Sequence, residues 1–113
     1  MSASDTIVAV STAPGHGAIG LVRVSGELVR TLLERHCRQV SHDSPPADFP
    51  PRRQTFCRFG DDQEQLIDEG LVTFFPGPHS YTGEDIAEFA LHGNPLLLRR
   101  MLEALVAFPG VRP

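Results

Sequence analysis

The chain has 113 residues and a mass of 12.4 kDa, which bounds it to one compact domain with one core. Hydrophobic residues at 41% and charged residues at 21% exclude a disordered tail. The formal net charge is −4, and all ten basic residues are arginines without a continuous stripe, which argues against nucleic-acid binding by this chain alone.

No apolar run approaches the roughly 18 residues that a membrane span needs. The opening MSASDTIVAV lacks the basic start and apolar stretch of a secretory leader. Cys37 and Cys57 form neither a disulfide framework nor a paired zinc motif. The expectation is a cytoplasmic domain with reduced thiols and no membrane contact.

Residues 7–11, IVAVS, predict a buried strand closed by the turn chemistry of Thr12-Ala13-Pro14-Gly15. Residues 19–25, IGLVRVS, predict a second strand, with Leu21, Arg23 and Ser25 on one face and Gly20, Val22 and Val24 on the other. Residues 27–40 predict a helix whose buried stripe is Leu28, Val29, Leu32, Leu33, Cys37 and Val40, with Ser25 as N-cap and Glu27 at the positive end of the helix dipole.

Residues 41–53 hold four prolines and no periodicity, and read as a surface excursion. Residues 54–59 and 66–75 predict a hairpin turned by GDDQEQ. PGPHSYTGED, residues 76–85, is a loop, and residues 86–92 form a strand with Ala87, Phe89 and Leu91 on one face and Ile86, Glu88, Ala90 and His92 on the other. Asn94 as N-cap and Pro95 at the first position open a second helix that ends at Pro109-Gly110. The order β-β-α-β-β-β-α implies an α+β domain, a mixed β-sheet with two packed helices.

Gly15-His16-Gly17-Ala18-Ile19-Gly20 matches the G-x-G-x-x-G pattern of dinucleotide folds. There the third glycine must open a helix, but here it enters the β-branched run Leu-Val-Arg-Val-Ser. The acidic residue expected about twenty positions on is also missing. A G-x-x-x-x-G-K-[ST] phosphate loop is likewise absent from these 113 residues.

The histidines are scattered; His36, Cys37 and Cys57 could assemble a zinc site, against the blander reading of two core cysteines beside a solvated His36. No catalytic residue and no metal ligand are assigned. Two charges are oddly placed: Arg23 in an apolar strand, and Glu88 between Ala87 and Phe89. Each lies either on a solvated sheet face or against a partner.

Two blocks carry a family resemblance. Asp5-Thr6-Ile7-Val8-Ala9 with Pro14-Gly15-x-Gly17-Ala18-Ile19-Gly20-Leu21-Val22-Arg23-Val24-Ser25-Gly26 is the first. Phe75-Pro76-Gly77-Pro78-x-Ser80-Tyr81-Thr82-Gly83-Glu84-Asp85, with Glu88 and His92-Gly93, is the second. In this order and spacing, with the helix from Pro95 to Gly110 after them, they resemble the N-terminal domain of the tRNA-modification GTPases (the MnmE, or TrmE, family), over nearly the whole chain.

The resemblance implies that residues 1–113 are a single N-terminal domain, similar in fold to the folate-binding modules of aminomethyltransferase-type proteins. It implies homodimerisation and binding of a 5-formyl-tetrahydrofolate-type one-carbon donor, with Arg23 and Glu88 as cofactor-binding residues. A further contacting lysine of the family would lie beyond Pro113. GTP, potassium and magnesium would belong to a GTPase domain absent from this chain, so the chain alone is expected to be inactive. The flavoprotein partner MnmG (GidA) and tRNA would be engaged through the longer protein, to install an aminomethyl-type group on the wobble uridine. The alternative is a structural dimerisation domain without folate binding of its own.

This sequence departs from the family pattern at Ala13, where proline is frequent; at His16, where the family usually has arginine; and at Asn94, often glycine or serine. His16 exchanges a permanent cation for one that titrates near neutrality.

Overall fold

Period-two alternation along the strands sorts the chain into a covered and an uncovered side. A computed structural model describes residues 5–10, 19–40, 49–80 and 82–113. In chain order these form β1 (Thr6–Val10), β2 (Ile19–Ser25), α1 (Val29–His36), β3 (Cys37–Gln39), β4 (Gln54–Gly60), β5 (Leu66–Phe75), β6 (Ile86–His92), α2 (Pro95–Val106) and β7 (Val111–Arg112). The strands make one seven-stranded sheet in the order β3-β4-β5-β6-β2-β1-β7. It is mixed, because β1 and β7 run parallel while the other neighbours are antiparallel. The α+β architecture read from the sequence is the one observed.

The register lines the apolar residues up in rows. Val22 faces Phe89 and Val24 faces Ala87 across β2 and β6. Val8 extends one row through β1, and Val72 and Phe74 extend both through β5. All of these are buried, and Val29, Leu32 and Leu33 of α1 join the same cluster with Met101, Ala104 and Leu105 of α2. Phe89 lies at the centre, edge-on to Phe59 with centroids 5.5 Å apart. Such contacts add to the large apolar area that each ring removes from water. Both helices therefore cover one face, and the face carrying Arg23 and Glu88 is left without a helical layer.

The second helix starts as its sequence implies: the Asn94 side chain accepts from Leu96 N–H at 2.8 Å, with Pro95 at the first position. The first helix does not. It begins at Val29, its N-cap is Leu28, and it has no side-chain cap of its own. Ser25 is not the cap, and Glu27 sits exposed before the helix. The Leu28 N–H instead donates to Oγ1 of the buried Thr6, 3.0 Å away. A residue distant in sequence answers an orphan helix donor, which no local pattern could signal.

The far end of α1 differs as well. The predicted helix over 27–40 stops at His36, and Cys37–Gln39 turns extended to pair with β4 as the sheet edge. Cys37 is buried in either geometry, so the apolar stripe could not tell the two periods apart. β7 was not anticipated either, since two residues hold no periodicity. The hairpin between β4 and β5 is shaped by Asp61, whose Oδ1 accepts from the Gln63 and Gln65 N–H groups at 2.9 Å. The Gln65 bond is the main cause that holds the Asp61 carboxyl below its usual range. Ser11 to Ala18, including His16 and the glycine-rich turn, lie outside the described residues, but Gly20 does enter a strand.

His36 is buried, with 2% of its surface exposed, rather than solvated. Its ring Nδ1 lies 2.9 Å from the Gly60 carbonyl oxygen, which can only accept, so Nδ1 is the protonated nitrogen. Burial, joined by the neighbouring Arg35, pulls its pKa below the ordinary histidine value. Cys37 and Cys57 are free and buried. Burial first, and then the neighbouring Cys57, pushes the Cys37 thiol well up, against the thiolate that zinc requires. Among the described residues no group of three His, Cys, Asp or Glu is placed to hold a metal ion.

Three outcomes test this packing. A Cβ on Gly70 would come within 2.0 Å of the Ala90 carbonyl oxygen, so Gly70→Ala should cost about 3 kcal/mol or more in urea denaturation. Thr6→Val removes the acceptor for Leu28 N–H at nearly constant shape and should cost about 1–2 kcal/mol in the same assay. His36 binds a proton less readily folded than unfolded, so stability is highest above its unfolded pKa and falls as pH drops through it. The melting temperature should therefore decline from about pH 7.5 to about pH 5.5, with a shallower slope in His36→Gln.

Candidate functional site

Arg23 and Glu88 sit directly opposite each other in the β2–β6 register. The Arg23 Nε donates to Glu88 Oε2 at 2.9 Å, and its Nη2 contacts the same oxygen. The two charges are thus neither free on a wet face nor buried alone. The side chains are 40% and 18% exposed, so the carboxylate is the more enclosed partner. Both of these contacts fall on Oε2, and a carboxylate offers about four lone-pair directions over its two oxygens. Arg23 orients Glu88 without exhausting it.

Beside this pair a cavity of about 300 Å³ is lined by Ile7, Ala9, Arg23, Ser25, Thr82 and Glu84. Its floor comes from the uncovered face of β1 and β2, and its rim from the loop between β5 and β6. Ser25 Oγ lies 3.0 Å from Thr82 Oγ1 and donates to Glu84 Oε1 at 3.2 Å. Ser25, expected to cap a helix, belongs to this polar rim. Thr82 and Ser25 are 57 positions apart, and nothing in the linear pattern joins them.

The loop is held by its own backbone and by struts. Gly77 N–H donates to Asp85 Oδ1 at 2.9 Å, Gly26 N–H donates to the Asp85 carbonyl at 3.0 Å, and Ser80 Oγ donates to the Glu84 carbonyl. Arg30 reaches the Asp85 carboxylate at 3.4 Å while stacking over Phe74, 4.7 Å from its centroid. Asp85 is spent on this architecture rather than turned to the cavity. Gly26 stands at φ +141° with Thr6 and Asp5 backbone atoms under 3 Å from where a Cβ would go, so only glycine lets the end of β2 pass there. Tyr81 lies outside the described residues.

His92 shares the face of Glu88 but sits four positions along β6, about 13 Å away at strand spacing. Its ring Nδ1 lies 3.0 Å from Asp68 Oδ2, and its backbone N–H donates to the same oxygen at 2.9 Å. Partial burial alone would raise the Asp68 carboxyl; the bonds from the His92 backbone and ring and from Glu69 outweigh it and hold it low. A shallow cavity of about 200 Å³ lies there, floored by Ile19, Leu71 and Ala90. His92 is therefore remote from the Arg23–Glu88 cavity. No helix among the described residues is long and apolar enough to cross a membrane.

Residues 6–113 match the family described as GTP-binding protein TrmE N-terminus. The chain is 43% identical over 112 residues to a tRNA modification GTPase MnmE of Sodalis glossinidius (strain morsitans), covering 99% of this chain and 23% of that protein. It is 44% identical over 109 residues to the protein of that name from Nitrosococcus oceani, covering 96% of this chain and 22% of the relative. The Acidovorax sp. (strain JS42) protein of that name is 44% identical over 111 residues, 97% of this chain and 22% of its own length. The chain thus spans between a fifth and a quarter of these relatives. Matched from its first described strand to its last residue, the chain belongs to the TrmE N-terminus family.

Proposed function

We propose that this chain is the module of a tRNA-modification GTPase that holds a 5-formyl-tetrahydrofolate-type cofactor and forms a homodimer. The observation that carries the reading is a part-enclosed cavity with an apolar floor and a polar rim that Arg23 lines, with Glu88 beside it as the ion-pair partner of Arg23. That is the composition of a small-molecule site: mostly apolar walls and a few convergent polar anchors.

The residues fit such a group chemically. A pterin ring offers a 2-amino group and a ring N–H side by side, and a carboxylate accepts both through charge-assisted bonds. Glu88 takes that part, with Arg23 holding one oxygen of its carboxylate and its guanidinium fork facing the cavity where a carbonyl or carboxylate of the ligand would lie. Ile7 and Ala9 pack against a flat ring, and Ser25, Thr82 and Glu84 close the rim. When bound, the cofactor supplies a one-carbon unit. GTP hydrolysis with its potassium and magnesium, the flavoprotein partner MnmG and the tRNA are assigned to the longer protein acting in the cytoplasm.

A second reading has an observation of its own. Arg23 and Glu88 already satisfy one another, as in a purely structural cross-strand ion pair. The domain would then be a dimerisation scaffold that does not bind folate. Calorimetric titration of 5-formyl-tetrahydrofolate, with sedimentation analysis of the same samples, separates the two. The proposal expects saturable binding, with Glu88→Ala and Glu88→Gln each weakening it by roughly tenfold or more while the melting temperature stays within a few degrees. A dimer that ignores the folate, or a Glu88→Gln variant that binds as tightly as the parent, sinks the cofactor assignment.

A further inference from the structure

The opposite edge of the sheet carries a charge arrangement that folding alone does not account for. Arg38 on the edge strand β3 is the direct cross-strand partner of Arg58 on β4. Like charges placed directly opposite destabilise a sheet. Two acids lie nearby without cancelling the pair. Arg58 reaches Glu69 on β5 only at 3.7 Å, and Glu64 is one carboxylate among the three arginines that line the cavity there. Arg38 directs Nη1 at the Glu34 and Cys37 carbonyl oxygens, 2.7 and 2.8 Å away, and so answers the carbonyls at the end of α1. Arg35, from the last turn of α1, lines the same cavity, its guanidinium lying 5.8 Å from the centroid of Phe108 in the neighbouring cleft.

These three arginines bound a cavity of about 160 Å³ between the end of α1 and the β4–β5 hairpin, together with His36, Phe59, Gly60, Leu66 and the single carboxylate Glu64. His36 adds an independent observation. It is almost fully buried, its Nδ1–H is used on Gly60, and its Nε2 is a buried polar atom with no hydrogen-bond partner. Such atoms are uncommon and costly.

We propose that this cavity is a binding site for one small oxyanion of the phosphate type, a single phosphoryl or sulfate-sized group held by Arg35, Arg38 and Arg58. Planar guanidinium forks match the oxygens of such an anion and bind it through charge-assisted bonds. Arg38 screens it from the terminal carbonyls of α1. The size and the surroundings select against a polyanion: Glu34, Asp61, Asp62 and Glu64 flank the neighbouring cleft, and the whole chain carries a net charge of −4.

His36 couples the site to protons. The charged groups acting on it are Arg35 on its own helix and Asp61 and Asp62 on the hairpin. Arg38 and Arg58 line the same cavity, and burial keeps the Cys37 thiol neutral. An oxyanion beside the arginines offsets the positive field that Arg35 adds at the ring, so binding draws a proton onto it. This site is separate from the Arg23–Glu88 cavity and stands or falls independently of it.

Sulfate is the probe, because it does not change charge between about pH 6 and about pH 8, and any pH dependence then belongs to the protein. Calorimetry or amide and imidazole NMR shifts at constant ionic strength should give one saturable site, roughly threefold or more tighter at the lower pH. Arg58→Gln should weaken it roughly fivefold or more. His36→Gln should abolish the pH dependence. Inorganic phosphate should compete, and a short single-stranded RNA should not. The proposal is overturned if sulfate shows no saturation, if Arg58→Gln and Arg35→Gln both bind as the parent does, or if RNA binds more tightly than sulfate. Arg58 is 41% exposed on the uncovered face. Should its variant fold poorly, Arg35→Gln at the exposed helix surface carries the same test.

Discussion

Seven consecutive residue pairs between β2 and β6 hold this molecule in place. With Val22 set against Phe89 and Val24 against Ala87, Arg23 has to stand against Glu88, because the side-chain period of a strand is two. A slip of β2 by one residue would drive Arg23 under the helices and turn Val22 and Val24 out to water. The cost of burying an unpaired charge in an apolar layer is far larger than that of any single contact here. The hydrophobic rows thus specify the polar pair.

The same register explains why one face is uncovered. α1 and α2 both bury their apolar stripes against the Phe89 side, so the other face keeps its mixed surface. On it lie the Arg23–Glu88 pair, an apolar strip through Leu21, Ala90 and Leu71, and the His92–Asp68 pair at the far end. The loop over residues 76–85 turns part of that surface into a cavity, and its struts (Asp85, Arg30 and Ser80) do for the loop what the helices do for the covered face.

Charge is distributed with equal consequence at the sheet edge. β3 is only three residues long and ends its strand row with Arg38, a charged side chain on an edge, which discourages pairing with another chain. That role would be met by one arginine. Three around a cavity, beside a buried histidine with an unpartnered nitrogen, exceed what edge protection needs.

Much of the fold was legible because alternation and helix-start chemistry are local. Residues 19–25, 66–75 and 86–92 are strands at the predicted bounds, and Asn94-Pro95 opens α2 as read. Arg23 and Glu88 stood out as charges in apolar strands, yet the sequence left open whether water or a partner met them; that depended on a register between segments 65 positions apart. Where a residue's role rests on contacts distant in the chain, the local pattern was silent or misleading. Thr6 caps a helix 22 residues away, Ser25 joins the loop rim instead of capping, and Cys37–Gln39 leaves the helix for the sheet edge. Local hydrophobic period and backbone preference determine which elements form; which polar groups meet, and around what space, is decided only when those elements pack, because hydrogen bonds and ion pairs depend on ångström-scale position in three dimensions.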